Sequence, residues 1–369
     1  MKYYDYNSGE FRTGKGGKNR FITSQIVNDE RSSSIAIISL VLLLAIITCT
    51  FFACSGDFSF PTWIFWEETS EKHDINDPNN TNPYATKTDK TQFVANGNGS
   101  TISGINSQYA ILVRLSDMSV VGSKNADTVI YPASMTKVMT VITALDHIEN
   151  LDDEYIITRR VLNTVPSGSS TASLSIYLQN GDDTVTVRDL LYGIAYMSGS
   201  DSVLCLIDYL GLTVDQFVVL MNQKAQRIGL TSTTFGGAIG MDTEKNQTTC
   251  RDMAAIMSYA MENPVARELF SGGKHPLDII EGYSYYHSTL DTLLGRMDTS
   301  ANALLGNYTL LAAKSGYEDN AGYCLVSYIQ SDETGERFVL VTAKAEKAEW
   351  PSPANPIYDM VKIFDKFEP

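Results

Sequence analysis

A proline, a serine and a lysine open an apolar run in the decapeptide YPASMTKVMT, residues 131–140. Apolar side chains recur with helical spacing from Val138 onward, so this stretch predicts a buried helix that begins just after Pro132. Ser134 and Lys137 are three positions apart on one helical face and are expected to share a hydrogen bond. A lysine desolvated by such a helix loses basicity and can take the serine proton. A helix-capping serine beside a solvated lysine is the simpler alternative.

Strand-like and helix-like segments follow each other in an order that indicates the fold class. Alternating apolar residues between turn-forming residues predict strands at 109–115 with 120–121, and at 310–316, 322–329 and 338–343. Helical spacing predicts helices over 188–197, 214–230, 251–261 and 357–367, with a polar break at 198–201. Strands at both ends with helices between them predict an α/β (α+β) fold: a mainly antiparallel sheet built from both termini, flanked by helices, with an all-helical subdomain.

The composition limits the classes of partner and cofactor. The chain has 369 residues, of which 43% are hydrophobic, enough for one large core or two smaller ones. Its formal net charge of -15 argues against nucleic acid as a partner, because a phosphate-binding surface needs clustered basic side chains. The histidines and cysteines show no metal-ligand spacing, so neither a metal site nor a cofactor is predicted. Cys205, Cys250 and Cys324 are expected to be buried as small apolar side chains.

A run of 20 residues without a charge, IAIISLVLLLAIITCTFFAC, occupies residues 35–54 and has the length of a membrane-spanning helix. Residues 1–34 before it contain six basic and four acidic residues, a net charge of +2, and acidic residues follow it. The positive-inside rule therefore predicts a single-pass plasma-membrane protein with a cytoplasmic tail at 1–34 and everything after Cys54 outside, in the extracellular or periplasmic space. A cleaved signal peptide and a lipidated Cys54 are the alternatives.

The region between this anchor and the first predicted strand is poor in core-forming residues. The side chains just after the anchor suit the headgroup layer: Phe58, Phe60, Trp63, Phe65 and Trp66. From Ser70 to about Ser103 the chain is rich in Asn, Asp, Thr and Gly, which predicts a disordered tether. The predicted organisation after the anchor is a juxtamembrane segment and linker at 55–105, followed by a globular domain at 106–369.

Three short motifs occur in a fixed order: Ser-Met-Thr-Lys at 134–137, Ser-Gly-Ser at 198–200 and Lys-Ser-Gly at 314–316. Together they resemble the Ser-x-x-Lys, Ser-x-Asn and Lys-Thr/Ser-Gly motifs of the penicillin-binding protein and serine β-lactamase superfamily. More narrowly, the chain is similar to the low-molecular-mass D-alanyl-D-alanine carboxypeptidases, which implies a β-lactamase/transpeptidase-like fold. Further agreement with that family's patterns is found at 132–140, 189–191, 251–253, 302–305 and 321–323.

The resemblance implies a catalytic role for three residues. Ser134 would attack the carbonyl between the two terminal D-alanines of a peptidoglycan stem peptide and form an acyl-enzyme that water later hydrolyses. Lys137 would be the base for this attack, kept neutral by burial and by a positive Lys314 nearby. Ser198 would relay a proton to the leaving D-alanine. β-Lactam antibiotics resemble the same dipeptide end and are expected to acylate Ser134.

The resemblance also implies a set of substrate-binding residues: Ser200, Lys314, Ser315, Gly316 and Tyr317. Lys314 and Ser315, on an edge strand, would receive the terminal carboxylate of the substrate. The backbone amides of Ser134 and Tyr317 would form the oxyanion hole.

Two departures from the family pattern bear on activity. Ser200 stands where the family has asparagine, and a serine cannot span both the substrate amide and the catalytic lysine. Glu318 stands where a hydroxyl is usual and brings an anion toward the carboxylate pocket. A weakly active or inactive peptidoglycan-binding or regulatory homologue is therefore one alternative. A serine β-lactamase is another, although no Glu-x-x-Leu-Asn lies between the second and third motifs, and a related esterase is a third.

Overall fold

The computed structural model divides the chain into two compact units, Met1–Thr69 and Ser70–Pro369. The first unit contributes strands β1 (Lys2–Asp5) and β2 (Glu10–Thr13), which pair antiparallel. The predicted anchor at 35–54 and the aromatic segment after it lie outside the described residues. The structure describes residues 2–5, 10–13, 82–88, 90–172, 174, 184–272, 274–276, 284–286, 305–346 and 355–367.

The second unit combines short and long strands with a set of helices. Its strands are β3 (Ser100–Thr101), β4 (Tyr109–Arg114), β5 (Val120–Lys124), β6 (Glu154–Ile156), β7 (Thr184–Thr186), β8 (Lys274–Pro276), β9 (Ser284–Tyr286), β10 (Tyr308–Glu318), β11 (Gly322–Ser331) and β12 (Arg337–Ala345). Its helices are α1 (Thr136–Leu145), α2 (Arg159–Leu162), α3 (Val187–Met197), α4 (Ser200–Tyr209), α5 (Val214–Arg227), α6 (Cys250–Ala260), α7 (Pro264–Phe270) and α8 (Asn355–Lys366).

Six strands form the main sheet in the order β10-β11-β12-β4-β5-β3. Neighbouring strands pair antiparallel except β3 and β5, which are parallel. The pairing of β12 with β4 joins a C-terminal strand to an N-terminal one, so the prediction of a mainly antiparallel sheet built from both termini is confirmed. Strand β10, which carries the third motif, lies at one edge of this sheet, as predicted.

The sheet separates two hydrophobic cores because successive side chains of a strand point to opposite faces. On β4, Ile111 and Val113 join the larger core, whereas Ala110 and Leu112 join the smaller one. Helix α8 covers the smaller core with side chains such as the buried Phe364, and the remaining helices supply most of the larger core. The predicted closing helix and the predicted helical cluster beside the sheet are thus both present.

Helix α1 lies within the larger core, and all ten of its residues are buried. A helix that is buried on every side is held rigidly by its neighbours. One of its polar side chains is satisfied internally, because Thr140 Oγ1 donates to the carbonyl of Ala238 at 2.7 Å. Just beyond its last turn, the buried Asp146 forms an ion pair with the buried Lys224 at 2.6 Å. The Ser-x-x-Lys motif is therefore carried at the start of a fixed element.

The described residues before β3, 82–88 and 90–98, pack against the domain, and we call them the N-terminal strap. Asn82 is buried, and its side-chain amide donates to two carbonyls at the C-terminal end of α1, at 3.2 and 2.7 Å. Phe93 is also buried, with its ring edge-on to that of Tyr259 at a centroid distance of 5.1 Å. The strap therefore contributes both an apolar anchor and a helix cap to the domain.

Arg251 at the start of α6 attaches the end of the strap. Its Nη1 donates to the carbonyls of Ala95 at 2.8 Å and Gly97 at 3.0 Å. The prediction of a disordered linker up to about Ser103 is thus wrong for the described residues from Asn82 onward, and the domain begins before residue 106. This segment has few large apolar residues and is held chiefly by hydrogen bonds to its backbone. The amino-acid composition, on which the prediction of disorder rested, does not reveal such bonds.

In the parts of the chain that the structure describes, no single helix combines the length and the hydropathy of a membrane span. Helices α4 and α5 meet the criterion only as a pair, across a bend of 94°.

Candidate active site

Ser134 lies in a 3-10 turn, Ala133–Met135, that leads directly into α1. Ala133 has a φ of 46°, in the left-handed region, and the amide of Met135 donates to the carbonyl of Pro132 at 3.1 Å. A left-handed alanine costs about 1–2 kcal/mol, so the surrounding packing must hold this turn in place. Ser134 is half-buried and borders a cavity, whereas the residues on either side of it are buried.

Two glycines allow other segments to pack closely against this turn. A side chain at Gly316, on β10, would place its Cβ 2.8 Å from the amide nitrogen of Ser134. A side chain at Gly240, where φ is +87°, would meet the carbonyl oxygen of Ala133. The nucleophile turn is therefore held between the edge strand and the loop that contains Gly240, and neither position has room for a larger residue.

Lys137 faces Ser134 one helical turn further on, and its Nζ lies 3.0 Å from the Ser134 hydroxyl oxygen. The predicted hydrogen bond is present. The Nζ of Lys137 also donates to the carbonyl of Ile239 at 2.6 Å, and the side chain is only 1% exposed. Burial lowers the pKa of Lys137 to about 7, although the carboxylates of Glu318 and Asp201 act to raise it. An appreciable fraction of this amine is therefore neutral near pH 7 and able to accept a proton.

Lys314 and Ser198 form a second lysine–serine pair. The Nζ of Lys314 donates to the Ser198 hydroxyl at 3.0 Å and to the carbonyl of Ser315 at 2.9 Å. Ser198 follows α3 with a left-handed backbone, φ 55° and ψ 31°, and so directs its side chain back toward β10. Lys314 has no exposed surface; burial, together with the charge of Lys137, lowers the pKa of Lys314 well below its usual value.

This arrangement modifies the expected role of Lys314 in two respects. Burial lowers the pKa of both lysines, and the repulsion between the two amines lowers the pKa of Lys314 further rather than that of Lys137. Furthermore, Lys314 is not among the residues that line the cavity, because it lies behind Ser198 and Ser315. Any contact between Lys314 and a ligand would thus run through the Ser198 hydroxyl or require that hydroxyl to move.

One cavity of about 730 Å³ brings the other predicted site residues together. This volume is typical of a small-molecule or peptide site. Seven of the eight predicted residues line it: Ser134, Lys137, Ser198, Ser200, Ser315, Gly316 and Tyr317. Tyr317 lies at the rim with half of its surface exposed, and its ring contacts that of Tyr323 at 4.6 Å.

Ser200 begins α4 and is almost fully buried at the cavity wall. Its amide donates to the carbonyl of Ser170 at 2.8 Å, but its hydroxyl forms no hydrogen bond with another of the described residues. Lys137 bonds to Ser134 and Ile239 rather than to Ser200. That a serine here cannot span both the substrate amide and the catalytic lysine stays a prediction.

A serine-rich loop, residues 167–170, forms a wall of the cavity that the sequence motifs do not indicate. The buried carboxylate of Asp201 holds the chain just after it, accepting from the amides of Ala172 at 2.7 Å and Leu174 at 3.0 Å. The packing is close, because a Cβ at Gly199 would lie 2.8 Å from that of Ala172. The sequence signal that could have indicated this wall is the acidic residue directly after the second motif, Asp201.

Three acidic side chains lie around the end of β10. Glu318 and Asp319 line the cavity, and Asp242 accepts the amide of Asn320 at 2.6 Å. Burial raises the pKa of Glu318, as does the charge of Asp242, while Lys137 acts to lower it.

The three cysteines expected to be buried, Cys205, Cys250 and Cys324, are buried and free, and Cys324 also borders the cavity.

Comparisons with known proteins agree with this geometry. Residues 96–347 match the peptidase family described as D-alanyl-D-alanine carboxypeptidase. The D-alanyl-D-alanine carboxypeptidase DacF of Bacillus subtilis is 29% identical over 219 residues, which cover 59% of this chain and 52% of that protein. A D-alanyl-D-alanine carboxypeptidase of a Streptomyces species is 31% identical over 215 residues, covering 55% of this chain and 69% of the relative.

The fold has counterparts among solved structures. A penicillin-binding protein from Listeria monocytogenes, in its cefotaxime-bound form, superposes with a TM-score of 0.57 at 24% identity, and the match covers 72% of this chain and 98% of the other. The chain spans about half the length of several curated relatives that it matches. The family match covers more than half of the 369 residues and includes all three motifs. The chain therefore belongs to the D-alanyl-D-alanine carboxypeptidase family of serine peptidases.

Proposed function

We propose that this protein is a serine D,D-carboxypeptidase that removes the terminal D-alanine from peptidoglycan stem peptides through an acyl-enzyme on Ser134. The observation that carries the proposal is the 3.0 Å contact between the Ser134 hydroxyl and a buried Lys137 whose pKa is about 7. A hydroxyl becomes an effective nucleophile when a neighbouring base of matched pKa can take its proton. Family membership and the named activity of the relatives support the same assignment.

The first chemical step would transfer the acyl group to the enzyme. Ser134 Oγ attacks the carbonyl carbon between the two D-alanines, and its proton passes to the neutral Nζ of Lys137. The carbonyl of Ile239 accepts an N–H from this amine, which leaves the lone pair of the neutral amine free to face the Ser134 hydroxyl. The C–O bond to Ser134 forms, the peptide C–N bond breaks, and the leaving nitrogen receives a proton.

The Ser198–Lys314 pair supplies a route for that last proton. The Ser198 hydroxyl borders the cavity on one side and is 3.0 Å from the Lys314 amine on the other. It can donate to the leaving nitrogen while the proton shared with Lys314 replaces the one it gives up. The proton on Lys137 must return to the Ser198–Lys314 pair before the second step, so that both amines regain their starting charge. Water then attacks the ester carbonyl carbon while Lys137 accepts its proton. The ester C–O bond breaks, Ser134 Oγ takes a proton back, and the shortened peptide leaves with a new carboxylate.

β-Lactams are the expected covalent inhibitors. A β-lactam carbonyl would acylate Ser134 by the same first step, and the fold is shared with a penicillin-binding protein that was solved with cefotaxime bound.

Incubation of the full-length chain with a stem pentapeptide, followed by mass spectrometry, tests the main proposal. We expect a product that is shorter by one alanine residue, formed by the wild type and not by Ser134→Ala. Rapid turnover of nitrocefin would instead favour a β-lactamase.

The site is proposed to act outside the plasma membrane, attached by residues 35–54. This uncharged run of 20 residues, with its more basic preceding flank, supports a single-pass anchor with the N-terminus in the cytoplasm. Washing isolated membranes at alkaline pH tests the attachment, because a spanning segment keeps the protein with the membrane. External protease tests the orientation, since it should degrade the domain and spare the tail.

A weakly active or inactive peptidoglycan-binding homologue is the second candidate function. The observation that favours it is the Ser200 hydroxyl, which forms no hydrogen bond with the described residues where the family has an asparagine. Fluorescent penicillin labelling distinguishes the two candidates. Labelling that is present in the wild type and absent in Ser134→Ala, together with pentapeptide turnover, supports the enzyme. Binding of peptidoglycan without labelling supports the second candidate.

A further inference from the structure

Side chains alternate between the two faces of β10, which places a lysine, a glycine and a glutamate on one side of the strand. Side chains two positions apart share a face, so Lys314, Gly316 and Glu318 point the same way. Gly316 is the residue that packs against Ser134, since its Cβ would lie 2.8 Å from the Ser134 amide. The nucleophile turn therefore faces the middle of a strand that carries a lysine two residues before the contact and a glutamate two residues after it.

The two charges are not equally available to a ligand. Lys314 is fully buried, donates to Ser198 and Ser315, and does not line the cavity. Glu318 is half-buried and does line it. Lys314, which the resemblance assigns to binding the substrate carboxylate, is thus covered by Ser198. The carboxylate of Glu318, in contrast, faces the cavity.

The other ionisable side chains that line the cavity do not offset the charge of Glu318. Among the described residues that line it, the ionisable carboxyl groups are those of Glu318 and Asp319, and the one amine is that of Lys137. Lys137 must be neutral to act as a base, so at the moment of attack it contributes no positive charge. Asp242, beside Glu318, adds a further negative charge close to the rim. The charged side chains on the described surface of the cavity are therefore negative when the nucleophile is active, whereas the amine of Lys314 lies beneath that surface, behind Ser198.

We propose that Glu318 is a specificity-determining residue, which disfavours substrates with a free carboxylate on the leaving residue relative to substrates whose leaving side continues as a neutral amide. The inference rests on the proposed acyl transfer to Ser134. A free carboxylate is the end of a stem peptide, whereas an amide at that position is found where the leaving residue is amidated or extended through its carboxyl group. Glu318 in the partly desolvated cavity repels the first kind of substrate and is indifferent to the second.

A pair of matched substrates tests this assignment in the full-length chain. The substrates are an acylated D-alanyl-D-alanine with a free carboxylate and the same dipeptide with its terminus blocked as a carboxamide. The measured quantity is kcat/KM for each substrate, and the result is expressed as the ratio of amide to acid. Glu318→Gln removes the charge at nearly constant size and should lower this ratio about fivefold or more, mainly by raising kcat/KM for the acid.

Further variants control for charge and for folding. Glu333→Gln removes an exposed carboxylate from the turn between β11 and β12, away from the cavity, and should leave the ratio unchanged. Glu318→Thr restores the hydroxyl that is usual in the family and should lower the ratio like Glu318→Gln. Glu318→Thr serves as the second test if Glu318→Gln unfolds, with thermal unfolding measured for each variant.

The outcomes separate this inference from the proposed function. A ratio that falls in Glu318→Gln or Glu318→Thr, with Glu333→Gln unaltered, supports the specificity role. An unchanged ratio in variants that still hydrolyse both substrates overturns it and leaves the proposed function intact. If the wild type hydrolyses neither substrate and Ser134 is not acylated by penicillin, both the proposed function and this inference are refuted.

Discussion

The Nζ of Lys137 lies 3.0 Å from the Oγ of Ser134, and the same nitrogen donates to the carbonyl of Ile239 at 2.6 Å. These two contacts hold a fully buried amine beside a hydroxyl at the wall of a cavity. Because one helix carries Lys137 and the turn that enters it carries Ser134, local geometry brings the two side chains together, and distant segments then hold the turn and the amine in place.

The pH dependence of acylation follows from the lowered pKa of Lys137. Burial brings that pKa to about 7, and only the neutral amine can accept the serine proton. The second-order rate constant for acylation by a penicillin should therefore increase about tenfold per pH unit below 7 and level off above it. Stopped-flow or quenched labelling between pH 5 and pH 9 measures this profile. A rate that is independent of pH across 7 would show that another group is the base.

Replacing Ser200 by the family residue should increase acylation. The hydroxyl of Ser200 has no hydrogen-bond partner among the described residues, so Ser200→Ala should change the acylation rate by about twofold or less. Ser200→Asn extends an amide into the cavity that can reach both the lysine and a ligand, and we expect a gain of up to about tenfold, the value of one good hydrogen bond. Fluorescent penicillin labelling measures both variants. A large loss in Ser200→Ala would contradict this account.

Gly316→Ala should impair both stability and activity. The added Cβ would lie 2.8 Å from the Ser134 amide, so the strand or the turn must move. Overpacking of this kind costs about 1–3 kcal/mol, and a displacement of the nucleophile of about 1 Å can lower the rate about a hundredfold. Thermal unfolding and penicillin labelling measure the two effects.

Gly237→Ala is the matched control for that substitution. A Cβ at Gly237 would have no neighbour within 4 Å, and its backbone is not in the left-handed region. The control should keep wild-type labelling and stability. Equal behaviour of the two alanine variants would rule out the close contact between Gly316 and the nucleophile turn.

The N-terminal strap is predicted to stabilise the domain through Asn82. Asn82→Ala removes the donor to two carbonyls at the end of α1 and the acceptor for the amide of Tyr84, so the free energy of unfolding should fall by about 1–3 kcal/mol. Asn96→Ala, at an exposed position of the same strap, is the control and should change stability by less than about 0.5 kcal/mol. Chemical denaturation measures the difference. Two variants of equal stability would mean that the strap does not support the domain.

Local patterns predicted much of this architecture. The spacing of apolar residues after Pro132 indicates α1, and the turn between 115 and 120 indicates the β4–β5 hairpin, because both depend on neighbouring residues. The three motifs meet in one cavity because each occurs at the end or edge of a predicted element. The pairing of β12 with β4 agrees with the prediction of a sheet built from both termini, which rests on predicted strands at both ends of the domain.

Other features depend on contacts between distant segments and leave little trace in the sequence. The strap is held by Asn82, Phe93 and Arg251, whose partners lie far along the chain. The serine-rich wall at 167–170 is followed by a segment whose amides bond to Asp201. In the sequence, Asp201 looks like any acidic residue at the start of a helix. The screening of Lys314 by Ser198 depends on the left-handed backbone after α3, a conformation that serine rarely adopts.

The most direct test of the central claim is the mass of the intact protein after incubation with benzylpenicillin, followed by peptide mapping. We predict one added penicilloyl group on the peptide that contains Ser134, and no addition in Ser134→Ala. A protein that gains no mass, or gains it at a residue other than Ser134, would contradict the assignment of Ser134 and Lys137 as nucleophile and base.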